Sequence, residues 1–253
     1  MELGLKGKKA IITGGSRGIG RATAELLASE GCDIAFFSRN AAQVEEQKQA
    51  LAAKGVKVFA GSVDITDATA YGAWLKQAAE ALGGCDIFIH NASNSGSPGG
   101  TVDWQKCFEI DMLGAVRGVE ALTPWLEKSS AGSVVLISST AATETFFIPQ
   151  AFNAVKASMV TYGKQLSQFL GPKKIRVNCV SPGPIYFDGG NWAGIEKAAK
   201  AVFDAEVAKI PFGRLGTVDE VARVITFVAS PAASWVTGVN LIVDGGYTKR
   251  VQL

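Results

Sequence analysis

Short apolar runs, rich in β-branched and aromatic residues, alternate with helical patterns along the whole chain. That alternation restricts the possible folds more than any other feature of the sequence. The runs are KAIIT at 9–13, DIAFFS at 33–38, residues 56–60, DIFIH at 86–90, SVVLIS at 133–138, and residues 175–180 and 239–243. Helical patterns fill residues 21–30, 41–54, 68–82, 104–127, 151–170 and 218–229 between them. Strands that are apolar along their length are buried on both faces, which places them in a parallel sheet with helices on either side. Right-handed crossovers then predict an α/β, doubly wound sheet of about seven strands, with a ligand crevice at the strands' carboxyl ends. Nothing linker-like interrupts the pattern, and no repeat recurs at solenoid spacing. Residues 1–253 read as a single domain, and an irregular segment over 182–211 reads as its substrate loop.

Charge and composition exclude several classes. With 25 basic and 23 acidic side chains the net charge is +2, without the basic surplus of a nucleic-acid binder. No run approaches the ~18 apolar residues of a membrane span. The opening MELGLKGKKAIITGG has neither the apolar core nor the cleavage site of a signal peptide, so a cytoplasmic location is expected. Cys32, Cys85, Cys107 and Cys179 are widely spaced and read as reduced thiols. With His90 the single imidazole, no metal site is expected.

The first strand runs into Thr13-Gly14-Gly15-Ser16-Arg17-Gly18-Ile19-Gly20 and then into a helix. Glycines there allow a tight turn and bring backbone N–H groups and a helix N-terminus against a pyrophosphate. The spacing is GxxxGxG rather than GxGxxG, and on its own it reads equally as a glycine-rich strand-to-helix turn.

TGGSRGIG resembles the TGxxxGxG motif of the short-chain dehydrogenases/reductases. Further matches follow in order: Asn91-Ala92 after the fourth strand, Ser139 after the fifth, Lys156 on the next helix, Pro182-Gly183 after the sixth strand, and VTGVNLIVDGG near the end. The resemblance covers essentially the whole chain. It implies a Rossmann-type fold, a nicotinamide cofactor, and contacts to that cofactor from Gly14, Ser16, Gly18, Ile19, Gly20, Asn91, Ala92, Lys156, Pro182, Gly183 and Ile185. Asp64, with Ile65 beside it, resembles the family's adenine-contacting acid; alone it reads as an acid near a helix N-terminus. In PGPIYFD the family's common Thr after the PG turn is missing, which puts that cofactor contact in doubt.

Charge selects among nicotinamide cofactors. A carboxylate at the end of the second strand would hold the ribose hydroxyls of NAD and repel a 2′-phosphate. Ser38 stands there instead, followed by Arg39, with Arg17 inside the glycine loop. Two planar guanidinium forks suit a phosphate, so NADP (NADPH) is expected over NAD. Each Arg alone reads as solvated surface charge.

In this family a Tyr supplies the proton to the developing alkoxide, a Lys one helical turn later lowers its pKa and holds the nicotinamide ribose, a Ser polarises the carbonyl and an Asn supports a relay water. Ser139 and Lys156 match. Four residues before Lys156, on the same helix face, stands Phe152, which can neither give nor take a proton. Read alone, Phe152 is a core residue; between Ser139 and Lys156 it reads as an acid/base tyrosine replaced by its nearest isostere, either a natural or an engineered change, of which the engineered one is expected because the cofactor features are otherwise intact. Asp111, in FEIDMLG, stands where the family carries Asn, and reads either as a relay acceptor or as a helix residue paired with a local N–H or a cation. His90 replaces another family Asn and reads as structural.

Tyr186, Phe187, Trp192 and Phe203 in the loop, with Phe146 and Phe147, suit an apolar or aromatic alcohol or ketone, although half or more of them read equally as the loop's own core. The long helices and the C-terminal strand resemble the family's subunit contacts, implying a homotetramer. The expected function is thus an NADP-dependent alcohol/ketone oxidoreductase impaired at Phe152. The alternative is a natural, non-catalytic NADP(H)-binding protein that acts as a sensor or assembly partner.

Overall fold

In a computed structural model, residues 2–94, 100–145 and 149–251 are described. Phe146 and Phe147 lie outside them. Seven parallel strands form one sheet in the order β3-β2-β1-β4-β5-β6-β9. They are β1 (Lys9–Thr13), β2 (Asp33–Ser38), β3 (Val58–Ser62), β4 (Ile87–His90), β5 (Ser133–Ile137), β6 (Arg176–Pro182) and β9 (Asn240–Val243). The order reverses between β1 and β4, and the crevice opens above that switch point, at the strands' carboxyl ends. Two apolar layers hold the sheet. Helices α3 (Ala68–Leu82), α5 (Gly114–Leu126) and α6 (Ala151–Leu170) pack through Tyr71, Leu75, Leu122 and Met159 on one face. Helices α1 (Gly18–Ser29), α2 (Ala41–Ala52) and α9 (Val218–Ala229) pack through Leu27, Leu51 and Ile225 on the other.

Local chemistry fixes where the helices begin. The Asn40 side chain accepts from the Gln43 N–H at 3.1 Å and Asp67 accepts from Ala70 at 2.9 Å. Thr217 and Glu220 close a reciprocal capping box at the start of α9. Helix α1 has no such side-chain cap. Its first N–H groups therefore receive no bond from the N-cap side chain.

Three expectations change. The third strand lies two residues later than the apolar run, over Val58–Ser62, because its pairing with Ile34–Ser38 sets its ends and Lys57 N–H is held by the Asp33 carboxylate at 2.8 Å. The continuous helix expected over 104–127 is α4 (Gly100–Cys107), a π-helical turn (Phe108–Leu113) and then α5. Such turns are rare and sit inside otherwise α-helical runs, so pattern reading carries one helix through them. The segment 182–211 is not irregular. It holds β7 (Ile185–Tyr186), α7 (Asn191–Ala198) and α8 (Lys200–Val207), and β7 pairs with β8 (Gly216–Thr217). Two-turn helices gain their stability from packing rather than from their own sequence pattern.

Candidate active site

The glycine loop is clamped to β4. Asn91 Nδ2 donates to the Thr13 and Gly14 carbonyls at 3.1 and 3.0 Å, and Thr13 Oγ1 accepts from both Asn91 N–H and Ala92 N–H at 2.9 Å. Gly14 and Gly18 have φ of +70° and +56°, the left-handed region that glycine adopts without cost. A Cβ on Gly20 would meet the Gly14 oxygen at 2.3 Å, so Gly20 packs the loop from behind rather than facing the crevice.

Above this loop lies a cavity of about 830 Å³. Gly14, Ser16, Arg17, Gly18 and Ile19 line one end, joined by Ser38, Arg39, Asp64 and Ile65. Asn91 and Ala92 after β4, Ser139 after β5, Phe152 and Lys156 on α6, and Pro182, Gly183 and Ile185 at and beyond the end of β6 complete the lining. Gly20 and Asp111 are the expected site residues that do not line it. At the outer end Ser16 Oγ donates to Ser38 Oγ at 2.8 Å, and Arg17 donates to the Gly189 carbonyl at 3.4 Å. Two hydrogen bonds from Thr66, from its N–H and its hydroxyl, hold the Asp64 carboxyl below its ordinary range, the backbone bond contributing most. The uncapped α1 N-terminus, the left-handed glycines and this polar end fit a dinucleotide.

At the inner end, Lys156 Nζ is buried between the Ile137 carbonyl at 2.8 Å and the Asp111 carboxylate at 2.9 Å. Lys156 also lines the cavity. Asp111 is fully buried behind it, on the π-helical turn, and its second oxygen accepts from Asn94 N–H at 2.8 Å. Asn94 also donates to Asp103 at 2.9 Å. Asp111 thus pairs both with a cation, Lys156, and with a local N–H, that of Asn94. The ammonium lies 5.5 Å from the centre of the Phe152 ring, on the next turn of α6. Ser139 Oγ accepts from Ala141 N–H at 3.1 Å, which leaves its own proton for a carbonyl oxygen. Ser138, its neighbour, instead donates to the Lys156 carbonyl at 2.9 Å and braces α6.

His90 is buried with Nδ1 3.4 Å from Thr13 Oγ1, outside the cavity lining. Burial, and then the Lys156 charge, push its pKa down to about 4, so the imidazole is neutral. Of the loop aromatics, Phe187 and Trp192 line the cavity. Tyr186 and Phe203 pack edge-on with centroids 6.2 Å apart and form the loop's own core. Sequence reading missed Asn94, Glu144 and Tyr247. The last two line the cavity, and Tyr247 follows the DGG of the C-terminal motif already singled out.

The profile of a family described as Enoyl-(Acyl carrier protein) reductase matches residues 14–248. Isoepoxydon dehydrogenase of Penicillium expansum is 38% identical over 250 residues, covering 97% of this chain and 96% of the relative. A short-chain dehydrogenase/reductase from Serratia marcescens superposes with a TM-score of 0.89 at 30% identity, covering 96% of this chain and 99% of that one. The chain belongs to the short-chain dehydrogenase/reductase family. L-Sorbose reductase from Gluconobacter frateurii, solved with NADPH and L-sorbose, superposes with a TM-score of 0.92 at 28% identity, over 99% and 100% of the two chains. This short-chain dehydrogenase/reductase thus shares its fold end to end with alcohol and ketone oxidoreductases, and no helix among its described residues is long and apolar enough to cross a membrane.

Proposed function

We propose that this chain is an NADP(H)-dependent oxidoreductase interconverting an alcohol and a ketone, with turnover impaired by an engineered phenylalanine where the acid/base tyrosine belongs. The observation that carries the reading is the phenyl ring 5.5 Å from a buried, ion-paired Lys156 in the same cavity as Ser139. A bound nicotinamide would supply the hydride. The α1 N-terminus would bind its pyrophosphate, and Arg17, Arg39, Ser16 and Ser38 would surround a 2′-phosphate. Ser139 would donate to the carbonyl oxygen, and Lys156 would hold a ribose hydroxyl. No side chain at position 152 can then protonate the alkoxide. Exposed Phe169, Phe212 and Trp235, the last 98% exposed, support burial of these faces in a homotetramer, which sedimentation at micromolar concentration would reveal and a single 26.5 kDa species would refute.

A positioned general acid contributes ~10²–10⁴-fold, so Phe152→Tyr is expected to raise NADPH-dependent ketone reduction at least about a hundredfold, mostly in kcat. Ground-state binding of cofactor and ketone should barely change, because the hydroxyl acts mainly in the transition state. If the variant binds both and remains as slow as the parent, the non-catalytic NADP(H)-binding protein takes the place of the impaired enzyme.

A further inference from the structure

Beyond β9 the chain folds back over the cavity in a tight turn. Asp244 holds it, accepting from Gly246 N–H at 2.9 Å and from Thr248 N–H at 2.8 Å. Gly245 and Gly246 supply left-handed backbone with φ of +63° and +84°. The turn delivers Tyr247 to the cavity wall, where its hydroxyl donates to Glu206 Oε1 at 2.5 Å. Glu206 is 1% exposed, and its other oxygen takes Lys209 Nζ at 2.7 Å.

The consequence is directional. A phenol has one proton, and Tyr247 has committed it to a buried carboxylate. Towards a ligand its oxygen can only accept. Burial, the bond to Glu206 and the charges of Glu206 and Glu144 hold the phenol well above its ordinary pKa, so it stays protonated. Glu144 lines the same cavity, and Asn153 Nδ2 fixes its backbone carbonyl at 3.0 Å, beside Phe152. A carboxylate also only accepts. The donors, Ser139 and Lys156, line the same cavity.

We infer that Tyr247 and Glu144 recognise a hydrogen-bond donor on the substrate, so that the ketone carries a second group that is a hydroxyl or an ammonium and never a carboxylate. This inference rests on the oxidoreductase reading and deepens it. It also narrows the aromatic ligand expected from the loop. Phe187 and Trp192 give the site apolar surface, but the wall formed by Tyr247 and Glu144 requires a polar substituent.

The test uses the chain as it stands, because slow turnover permits equilibrium titration. Protein loaded with the cofactor is titrated calorimetrically with cyclohexanone, 4-hydroxycyclohexanone, 4-aminocyclohexanone and 4-oxocyclohexanecarboxylate. A hydrogen bond to a charged acceptor corresponds to about tenfold in Kd, so the hydroxy or amino ketone should bind about tenfold more tightly than cyclohexanone. The carboxylate should bind more weakly than all of them. Whichever of hydroxyl and ammonium binds more tightly identifies the natural donor. Tyr247→Phe and Glu144→Gln should each erode that preference severalfold, leaving cyclohexanone and cofactor affinities unchanged, and Glu144→Gln should recover carboxylate binding. Equal affinity for cyclohexanone and its hydroxy and amino derivatives overturns the inference alone. Cofactor binding with no ketone binding at all overturns the oxidoreductase reading and the inference with it.

Discussion

The two ends of the cleft are held together by different chemistry. At the glycine loop the partners are main-chain groups and neutral side chains. Asn91 and Thr13 tie strand ends together, and a Cβ on the left-handed Gly14 would lie 3.2 Å from the Ala92 Cα. At Lys156 the partners are full charges removed from water, with the lysine side chain 3% exposed and the aspartate 0%. The first end is defined by where the backbone can go, so nearly any change that adds atoms disturbs it. The second is defined by which ionisable groups are present. Its balance rests on Asp111 because no other anion contacts Lys156 among the described residues.

The largest expected effect tests that charged end. Lys156→Met keeps the volume of the stem but leaves Asp111 buried without a cation. Breaking one partner of such a pair typically costs about 3–5 kcal/mol, far more than the pair contributes against a neutral replacement. Chemical denaturation should therefore show a loss of that size. Adding Asp111→Asn to Lys156→Met should recover most of it, since no buried charge then remains. Equal stability of the single and double variants would show that the two charges do not depend on each other.

These two ends were unequally legible in the sequence. The strand-loop-helix alternation and the glycine spacing report backbone requirements, which a one-dimensional pattern carries well, and they put Arg17 and Ser38 at the carboxyl ends of neighbouring strands. The Lys156–Asp111 pair was only half visible. The two residues are 45 positions apart, and the carboxylate sits on a π-helical turn, a rare element that pattern reading takes for continuous α-helix. Asn94, which orients Asp111, carried no motif at all. Tyr247 lay next to a recognised motif, yet its role depends on Glu206, a buried acid on a helix too short to read from pattern. What the sequence withholds is side-chain pairing across elements.

A smaller effect links the two ends through His90, which sits between Thr13 and the π-helical turn. A Cβ on Gly114 would meet its Cε1 at 3.1 Å. Burial is the main cause of its lowered pKa, from 6.5 to about 4. The unfolded chain takes up the proton near pH 6.5, whereas the folded protein resists it down to about pH 4. Stability is thus fully present above pH 6.5 and is lost as pH falls through that window, by up to about 3 kcal/mol. Between pH 6.5 and 5 few carboxylates titrate, so the slope there belongs to His90. Denaturation midpoints across this interval should fall with acid in the parent and stay flatter in His90→Asn. An equal slope in both would mean that the imidazole is already charged.

The smallest effect expected concerns the backbone-built end, and it reads selectivity rather than stability. Arg17 and Arg39 line the cavity beside Ser38, and both are exposed, so removing either should leave folding unchanged. Arg17 makes one long contact, 3.4 Å to the Gly189 carbonyl, and its fork keeps further N–H groups for an incoming phosphate. NADPH and NADH differ at that position only in the 2′-phosphate, so the loss should fall on NADPH alone. Because solvent screens exposed charges, each Arg→Ala substitution is expected to weaken NADPH by about tenfold, the lower end for a charge-assisted hydrogen bond, with NADH unmoved. If both forks hold the same phosphate, the double variant should bind the two cofactors about equally, with the selectivity of the parent gone. Fluorescence titration of both cofactors against the parent and the three variants measures this directly. A parent that binds NADH as tightly as NADPH would remove the phosphate from the argument. A Ser38→Asp variant sharpens the same point, because a carboxylate there should repel the phosphate and hold the ribose hydroxyls, moving the preference towards NADH while both arginines remain.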